Sequence, residues 1–131
     1  MEWQFREVQA TDKSLTNEQA EFMASGRITI WVCELDSHQI GHCEGLPETG
    51  EIFGISVNDG YRRRRIGTRL LSRVIESLRA AGCSRIWVDA PAHPSNPAYS
   101  FYRALGWQST GKQTQGDPFP SEILELPAGA L

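Results

Sequence analysis

The stretch Glu51-Ile52-Phe53-Gly54-Ile55-Ser56-Val57-Asn58-Asp59-Gly60-Tyr61-Arg62-Arg63-Arg64-Arg65-Ile66-Gly67-Thr68-Arg69-Leu70-Leu71 decides the fold. Glu51 to Val57 is rich in apolar and β-branched residues and reads as a strand. Asn58-Asp59-Gly60 is turn chemistry. From there on, Ile66, Leu70, Leu71, Val74, Ile75 and Leu78 recur at the spacing of one helical face, and Gly82 suits a helix end, which predicts a helix over 66–81. A tight strand-to-helix turn aims free backbone N–H groups outward, where the helix dipole adds partial positive charge. Such a terminus binds phosphate or pyrophosphate. Arg62, Arg63, Arg64 and Arg65 add permanently charged donors, and Gly67 lets the backbone approach a ligand closely.

On either side of this unit, strands and helices mix. Trp3 to Val8 alternates apolar and polar and suits a first strand. Thr16 and Asn17 are N-cap residues for a short helix carrying Ala20, Phe22 and Met23, with Gly26 as its stop. Thr29 to Leu35 is a strand, Asp36 to Gln39 a polar break, and Ile40 the start of a second strand of a hairpin. Downstream, Arg85 to Asp89 reads as a buried strand, and Pro91 and Pro94 break the chain. Asn96-Pro97 opens a helix whose face carries Ala98, Phe101, Tyr102 and Leu105 and which Gly106 ends. Strands near 107–112 and 122–126 complete the order strand, helix, three strands, helix, strand, helix, strand, strand. That order excludes a TIM barrel and a plain doubly wound sheet.

The composition narrows the function. The chain has 131 residues, 40% hydrophobic and 22% charged, with a net charge of −3. One domain spanning 1–131 with one core is expected. The acidic total and the lack of a second basic stripe argue against nucleic acid, and nothing draws the molecule to an acidic membrane. No apolar run reaches the roughly 20 residues of a membrane span, and Met1 to Arg6 lacks the apolar stretch of a signal peptide, so a cytoplasmic setting is expected. Cys33, Cys43 and Cys83 form no pair of metal-binding or redox spacing, and His38, His42 and His93 give no zinc spacing, so no metal is expected. A homodimer is left open.

The segment from Glu51 to Val57, followed by Tyr61 to Leu71, resembles the acetyl-CoA site of the GNAT superfamily of N-acetyltransferases. After the strand, that family has Arg or Gln, two variable residues, Gly, one variable residue, then Gly or Ala. Arg62 matches the first position and Gly67 the last, while Arg65 stands at the usual first Gly. A second segment, Asn96 to Trp107, is similar to the family's other cofactor segment: Ala98, Tyr102, Gly106 and Trp107 keep register, and Asn96 sits one residue nearer Tyr102 than usual. The resemblance runs from about Thr29 to the C-terminal residue. It implies a single-domain α/β (α+β) fold with a mixed, mostly antiparallel sheet of six to seven strands and helices on both faces.

It also implies a chemistry, the transfer of acetyl from acetyl-CoA to the primary amine of a small molecule or peptide by direct attack. The amine must be neutral to attack, the oxyanion needs N–H donors, and the leaving thiolate benefits from an acid. By the resemblance, the backbone of Ile55, Ser56 and Val57 holds the pantetheine arm and thioester carbonyl. Residues Arg62, Arg63, Arg64, Arg65, Ile66, Gly67 and Thr68 hold the pyrophosphate, and Asn96, Tyr99 and Tyr102 make further cofactor contacts. Tyr102 is the candidate acid; read from spacing alone it is a core aromatic. Glu51, at the position of the catalytic glutamate in histone-type members, is the candidate base. On a regular strand it would share an apolar face with Phe53, Ile55 and Val57, a setting that raises a carboxyl pKa. His42 and Glu44, pointing to one face of the neighbouring strand, are reserves, and Asp89 is a weaker one. The short stretch from Ala10 to Arg27 leaves one wall of an open acceptor groove. Glu18, Glu21, Glu34, Glu44, Glu48 and Glu51 make the first half acid-rich, a lining suited to a cationic amine. The alternative is a non-catalytic acyl-CoA-binding or regulatory module, with a nucleic-acid-binding domain ranked below it.

Overall fold

A computed structural model describes residues 3–13, 15–62, 64–114 and 120–127. In chain order these form β1 (Trp3–Glu7), α1 (Asn17–Ala24), β2 (Thr29–Leu35), β3 (His38–Leu46), β4 (Glu51–Val57), α2 (Ile66–Ala80), β5 (Trp87–Pro91), α3 (Pro97–Ala104), β6 (Gln108–Thr114) and β7 (Ser121–Glu125), with a short 3-10 turn at Asp59–Tyr61. The alternation of α and β is the expected one. The chain divides into two compact units after Ser84. Among the described residues, no helix is long and apolar enough to cross a membrane.

The first unit is an antiparallel meander, β1 beside β2, β2 beside β3, β3 beside β4. Asp36 and Ser37 turn the β2–β3 hairpin with φ of 50° and 67°. Two left-handed residues match the twist of the flanking strands, which is why two suffice. The strand therefore starts at His38, paired with Leu35, and not at Ile40 as the polar composition suggested.

One face of this meander receives α2. Ile66, Leu70, Leu71, Val74, Ile75 and Leu78 are each 2% exposed or less. Burying such side chains is worth roughly 1.5–3 kcal/mol apiece. The helix comes close because β3 presents glycine beneath it. A Cβ on Gly45 would stand 2.6 Å from Val74 Cγ1, and one on Gly41 would stand 3.1 Å from Leu70 Cδ1. Trp31 Nε1 donates to Ser77 Oγ at 3.0 Å on the same face. At its margin, guanidinium groups lie over indole and phenyl rings: Arg64 over Trp3 at 5.7 Å, Arg69 over Phe5 at 4.3 Å and Arg73 over Trp31 at 5.5 Å. On the opposite face lies α1, so helices cover both faces of this sheet, as expected. Thr16 caps α1: its Oγ1 accepts from Gln19 N at 3.1 Å, while Gln19 Oε1 accepts from Thr16 N at 2.9 Å.

In the second unit, β7 pairs antiparallel with both β5 and β6. The ladder runs from Trp87 opposite Glu125 to Pro91 opposite Ser121. The strand thus sits two residues later than the expected 85–89, because Pro91 is tolerated at a strand end. Asn96 Oδ1 accepts from Ala98 N at 2.9 Å and Pro97 follows at the first turn of α3, as read from the sequence. Gly106, at φ of 92°, ends α3. Arg103 Nη2 meets Glu122 Oε2 at 2.6 Å.

Gly45 gives the first prediction. Gly45→Ala forces a methyl into Val74 and Leu78 and is expected to lower stability by about 1–3 kcal/mol, the usual range for overpacking. Gly60→Ala, with open space around the added methyl, is the control and is expected to unfold at the wild-type denaturant midpoint. Equal midpoints for the two variants would contradict the close helix–sheet approach.

Candidate active site

A cavity of about 390 Å³ opens between α1 and the strands it covers. Gln19, Phe22 and Met23 of α1 form one wall, with Ile28 from the segment that follows. Ile30, His42, Glu44 and Gly54 form the sheet side, and Phe53 stands at the rim, 66% exposed. Strand alternation explains the division. Gly41, Cys43 and Gly45 of β3 face α2, so His42 and Glu44 face the cavity.

His42 Nδ1 lies 2.6 Å from Glu44 Oε1. Nδ1 has no aligned hydrogen-bond partner, so the contact is a close approach that becomes an ion pair when the imidazole is protonated. Interaction with Glu44 raises the His42 pKa above its ordinary 6.5, against partial burial, which lowers it. Glu44 can lie here because Gly54 is opposite it. A Cβ on Gly54 would stand 2.9 Å from Glu44 Oε2.

The β3–β4 register shifts between Glu44 and Gly45: Glu44 pairs with Gly54, but Gly45 pairs with Ile52, and Phe53 is the extra residue. This bulge corrects the expected setting of Glu51. Ile52, Ile55 and Val57 share the face of Gly45, Cys43 and Gly41. Glu51, opposite Leu46, is on the other face with Gly54 and Ser56. It does not share an apolar face with Ile55 and Val57, and it is not among the cavity's lining residues. The acid-rich lining also reduces to one group. Glu34 is bonded to Arg6 at 2.7 Å, Glu18, Glu21 and Glu48 are exposed elsewhere, and of the six glutamates only Glu44 lines the cavity. His42 and Glu44, reserves in the sequence reading, are thus the titratable pair at this site.

At the other end of β4 the chain enters α2 through Arg65, whose φ of 61° and ψ of 18° are left-handed. Glycine adopts this backbone without strain. Arg65 adopts it at a cost of about 1–2 kcal/mol. Arg65 O accepts the first helical bond, from Arg69 N at 3.1 Å. The N–H groups of Ile66, Gly67 and Thr68 have no partner within the helix, and no side chain among the described residues caps it. Arg62 is turned back onto its own turn, meeting Asp59 Oδ1 at 3.1 Å and Val57 O at 3.4 Å. Arg64 stacks on Trp3, and Arg63 lies outside the described residues. The arginine–aromatic pairing is not apparent from the sequence alone; its signal is Trp3 and Phe5 alternating with polar residues on one strand, and Trp31 on the next, ahead of a basic helix.

In the second unit, Tyr102 is 3% exposed and its ring meets Phe101 and Trp107 edge-on, each at 5.1 Å between centroids. Asn96 uses its side-chain oxygen as a helix cap, and Tyr99 carries the Arg103 guanidinium 3.8 Å over its ring. Asp89 is exposed and accepts from Thr114 Oγ1 at 3.5 Å. Among the described residues, no group of three His, Cys, Asp or Glu side chains could hold a metal ion.

Comparison with known proteins names the class. The profile of the Acetyltransferase (GNAT) family matches residues 1–107. The chain belongs to the GNAT acetyltransferase family. It is 27% identical over 103 residues to "Probable N-acetyltransferase camello" of Xenopus tropicalis, a match that covers 75% of this chain and 47% of that protein. The chain thus spans about half the length of this curated relative. Two solved structures share the fold. The PaiA N-acetyltransferase from Thermoplasma acidophilum in complex with coenzyme A is 17% identical, with a TM-score of 0.74 over 95% of this chain and 98% of the other. An acetyltransferase of the GNAT family from Streptococcus pneumoniae is 16% identical, with a TM-score of 0.75 over the same shares, 95% and 98%. The α/β fold class with antiparallel pairing is therefore that of the family.

Two predictions follow from the geometry. Glu44→Gln should bring the His42 pKa down, as read by NMR titration of its ring; Gly54→Ala, which pushes the Glu44 carboxylate away, should do so by less. The sign for stability follows. A folded pKa above the unfolded one contributes stability that is full below about pH 6.5 and fades as pH rises through the folded value. Glu44→Gln should flatten the change in Tm across that window, and an unchanged His42 titration would refute the pairing. Separately, Arg65→Gly relieves the left-handed arginine while loosening the unfolded chain, for a net gain of about 0.5–1 kcal/mol in denaturant unfolding. A loss of stability would mean that the Arg65 side chain carries contacts outweighing its backbone strain.

Proposed function

We propose that this chain is an N-acetyltransferase that moves acetyl from acetyl-CoA to the primary amine of a small molecule or peptide bound in the cavity between α1 and β2–β4. The observation that carries the reading is the His42–Glu44 pair facing that cavity in a member of this family. The nitrogen lone pair attacks the thioester carbonyl, a C–N bond forms, the C–S bond breaks, CoA leaves as a thiolate, and the nitrogen releases its second proton to solvent as the amide forms. The attacking amine has first given up its ammonium proton, and we assign that proton to neutral His42, whose resulting imidazolium Glu44 stabilises. A base with a pKa near working pH is the efficient choice.

The donor side rests on the resemblance and on the uncapped start of α2. The N–H groups of Ile66, Gly67 and Thr68 would hold the pyrophosphate, with Arg62, Arg63, Arg64 and Arg65 proposed as its charged partners. Backbone groups of Ile55, Ser56 and Val57 would hold the pantetheine arm and the oxyanion, where one lost N–H donor costs about 3 kcal/mol. The related Thermoplasma structure, described as a complex with coenzyme A, supports this donor. Tyr102 is proposed as the acid that protonates the thiolate, since a phenol stays neutral near pH 7. Asn96 and Tyr99 are proposed as further cofactor contacts. A cytoplasmic location goes with acetyl-CoA as donor.

The test is thiol release and product formation with acetyl-CoA and a panel of amines. His42→Gln should lower kcat/KM about 10²–10⁴-fold at neutral pH, and the defect should shrink as pH rises and more amine arrives deprotonated. Glu51→Gln should stay within a few-fold of wild type. The opposite pattern would return the base to Glu51, and acetyl-CoA binding without turnover of any amine would favour the regulatory module.

A further inference from the structure

We propose that the acceptor is a small amine with a single positive charge and a bulky apolar body, aromatic or branched alkyl, and that Phe53 selects it. This deepens the reading above and rests on it. Phe22, Met23, Ile28, Ile30 and Phe53 make most of the cavity wall, Gln19 adds a neutral amide, and the only carboxylate among its lining residues is Glu44. That carboxylate is already engaged by His42. A polycation needs several acidic partners to offset its lost hydration, and here there is one, so each further ammonium would be desolvated without compensation. A single amine directed at His42 and Glu44 leaves the rest of the ligand against apolar walls.

Phe53 is the residue whose position the fold specifically arranges. It is a large apolar side chain left 66% exposed, in a strand whose neighbour Ile52 is 1% exposed. The bulge puts it at the cavity rim instead of in regular alternation with Ile52 and Gly54. The lack of a side chain at Gly54 leaves the sheet side open next to it. One face of Phe22 is taken by Arg27, 4.8 Å above its ring, so Phe53 is the aromatic surface with most area still to bury. A volume of about 390 Å³ is at the small end of ligand cavities, roughly 300–1,000 Å³, which suits one ring or branched chain and its amine arm.

The experiment compares kcat/KM for 2-phenylethylamine, spermidine and a lysine-containing tripeptide in the wild-type protein and in Phe53→Thr and Phe53→Leu. Phenylethylamine is expected to lead by tenfold or more in wild type. Phe53→Thr should cut that lead about 10–100-fold, mainly through KM, the effect of losing one large apolar contact. Phe53→Leu should keep most of it. Spermidine or the peptide leading in wild type, or a ratio unmoved in Phe53→Thr, overturns the inference while leaving N-acetylation in place. Acetylation of none of the amines overturns both. Should Phe53→Thr fail to fold, Phe53→Ser decides by the same criterion: a cut lead supports the inference and an unmoved ratio overturns it.

Discussion

The close approach of α2 to β3 is the constraint on which the first unit depends. Gly41 and Gly45 are four residues apart on one strand face, and Leu70, Val74 and Leu78 are four apart on the helix, so the two rows meet along their length. Cys43 between the glycines is fully buried, and burial pushes its thiol up and keeps it inert. Small residues toward the helix leave the alternate positions of the same strand to the other face, and those positions are His42 and Glu44. The packing that seats α2 thus also fixes the pair in the cavity. It fixes the start of α2 relative to the end of β4 as well, since the helix cannot slide without lifting Val74 off Gly45.

The bulge at Phe53 is the second constraint, and it acts on two residues at once. It turns Glu51 to the face opposite Ile55 and Val57 and leaves Phe53 at the rim. Gly54 stands opposite Glu44 in the unbroken register that runs on to Val57, and its missing side chain leaves room for the Glu44 carboxylate. The contact with His42 therefore depends on a glycine in a different strand.

The legible and illegible parts of the sequence divide along this line. The α2 face, the Thr16 and Asn96 caps and the strands at 29–35 and 51–57 were readable because each is a local pattern, a period or a cap, that tertiary contacts reinforce. Arg65 was readable as a departure from the family's glycine but not as a left-handed residue, because nothing in an arginine's chemistry announces positive φ. The bulge was invisible: it is a mismatch between two strands, and each strand alone looks regular. The alternation of β4 taken alone therefore puts Glu51 on an apolar face, and nothing in β3 alone raises His42 and Glu44 above it. The six glutamates suggested an acidic groove because composition counts charges without saying which are spent, as Glu34 is on Arg6.

The arginines at the start of α2 show how a positive potential can be kept while its carriers are held still. Arg64 and Arg69 lie on the rings of Trp3 and Phe5, while Arg73, over Trp31, also meets Glu76 Oε2 at 4.0 Å. A guanidinium over a ring is not neutralised as it would be by a carboxylate; it keeps its charge and loses rotamer freedom. An anion arriving at the start of α2 then meets a field whose sources are already ordered, and less of the attraction is lost in fixing long side chains. Arg62, by contrast, is paired with Asp59 and contributes less net charge. On the function proposed above, backbone N–H groups at this left-handed entry would supply the direct bonds and the stacked arginines the field. The entry needs a left-handed backbone, which glycine adopts without strain and which Arg65 adopts at a cost.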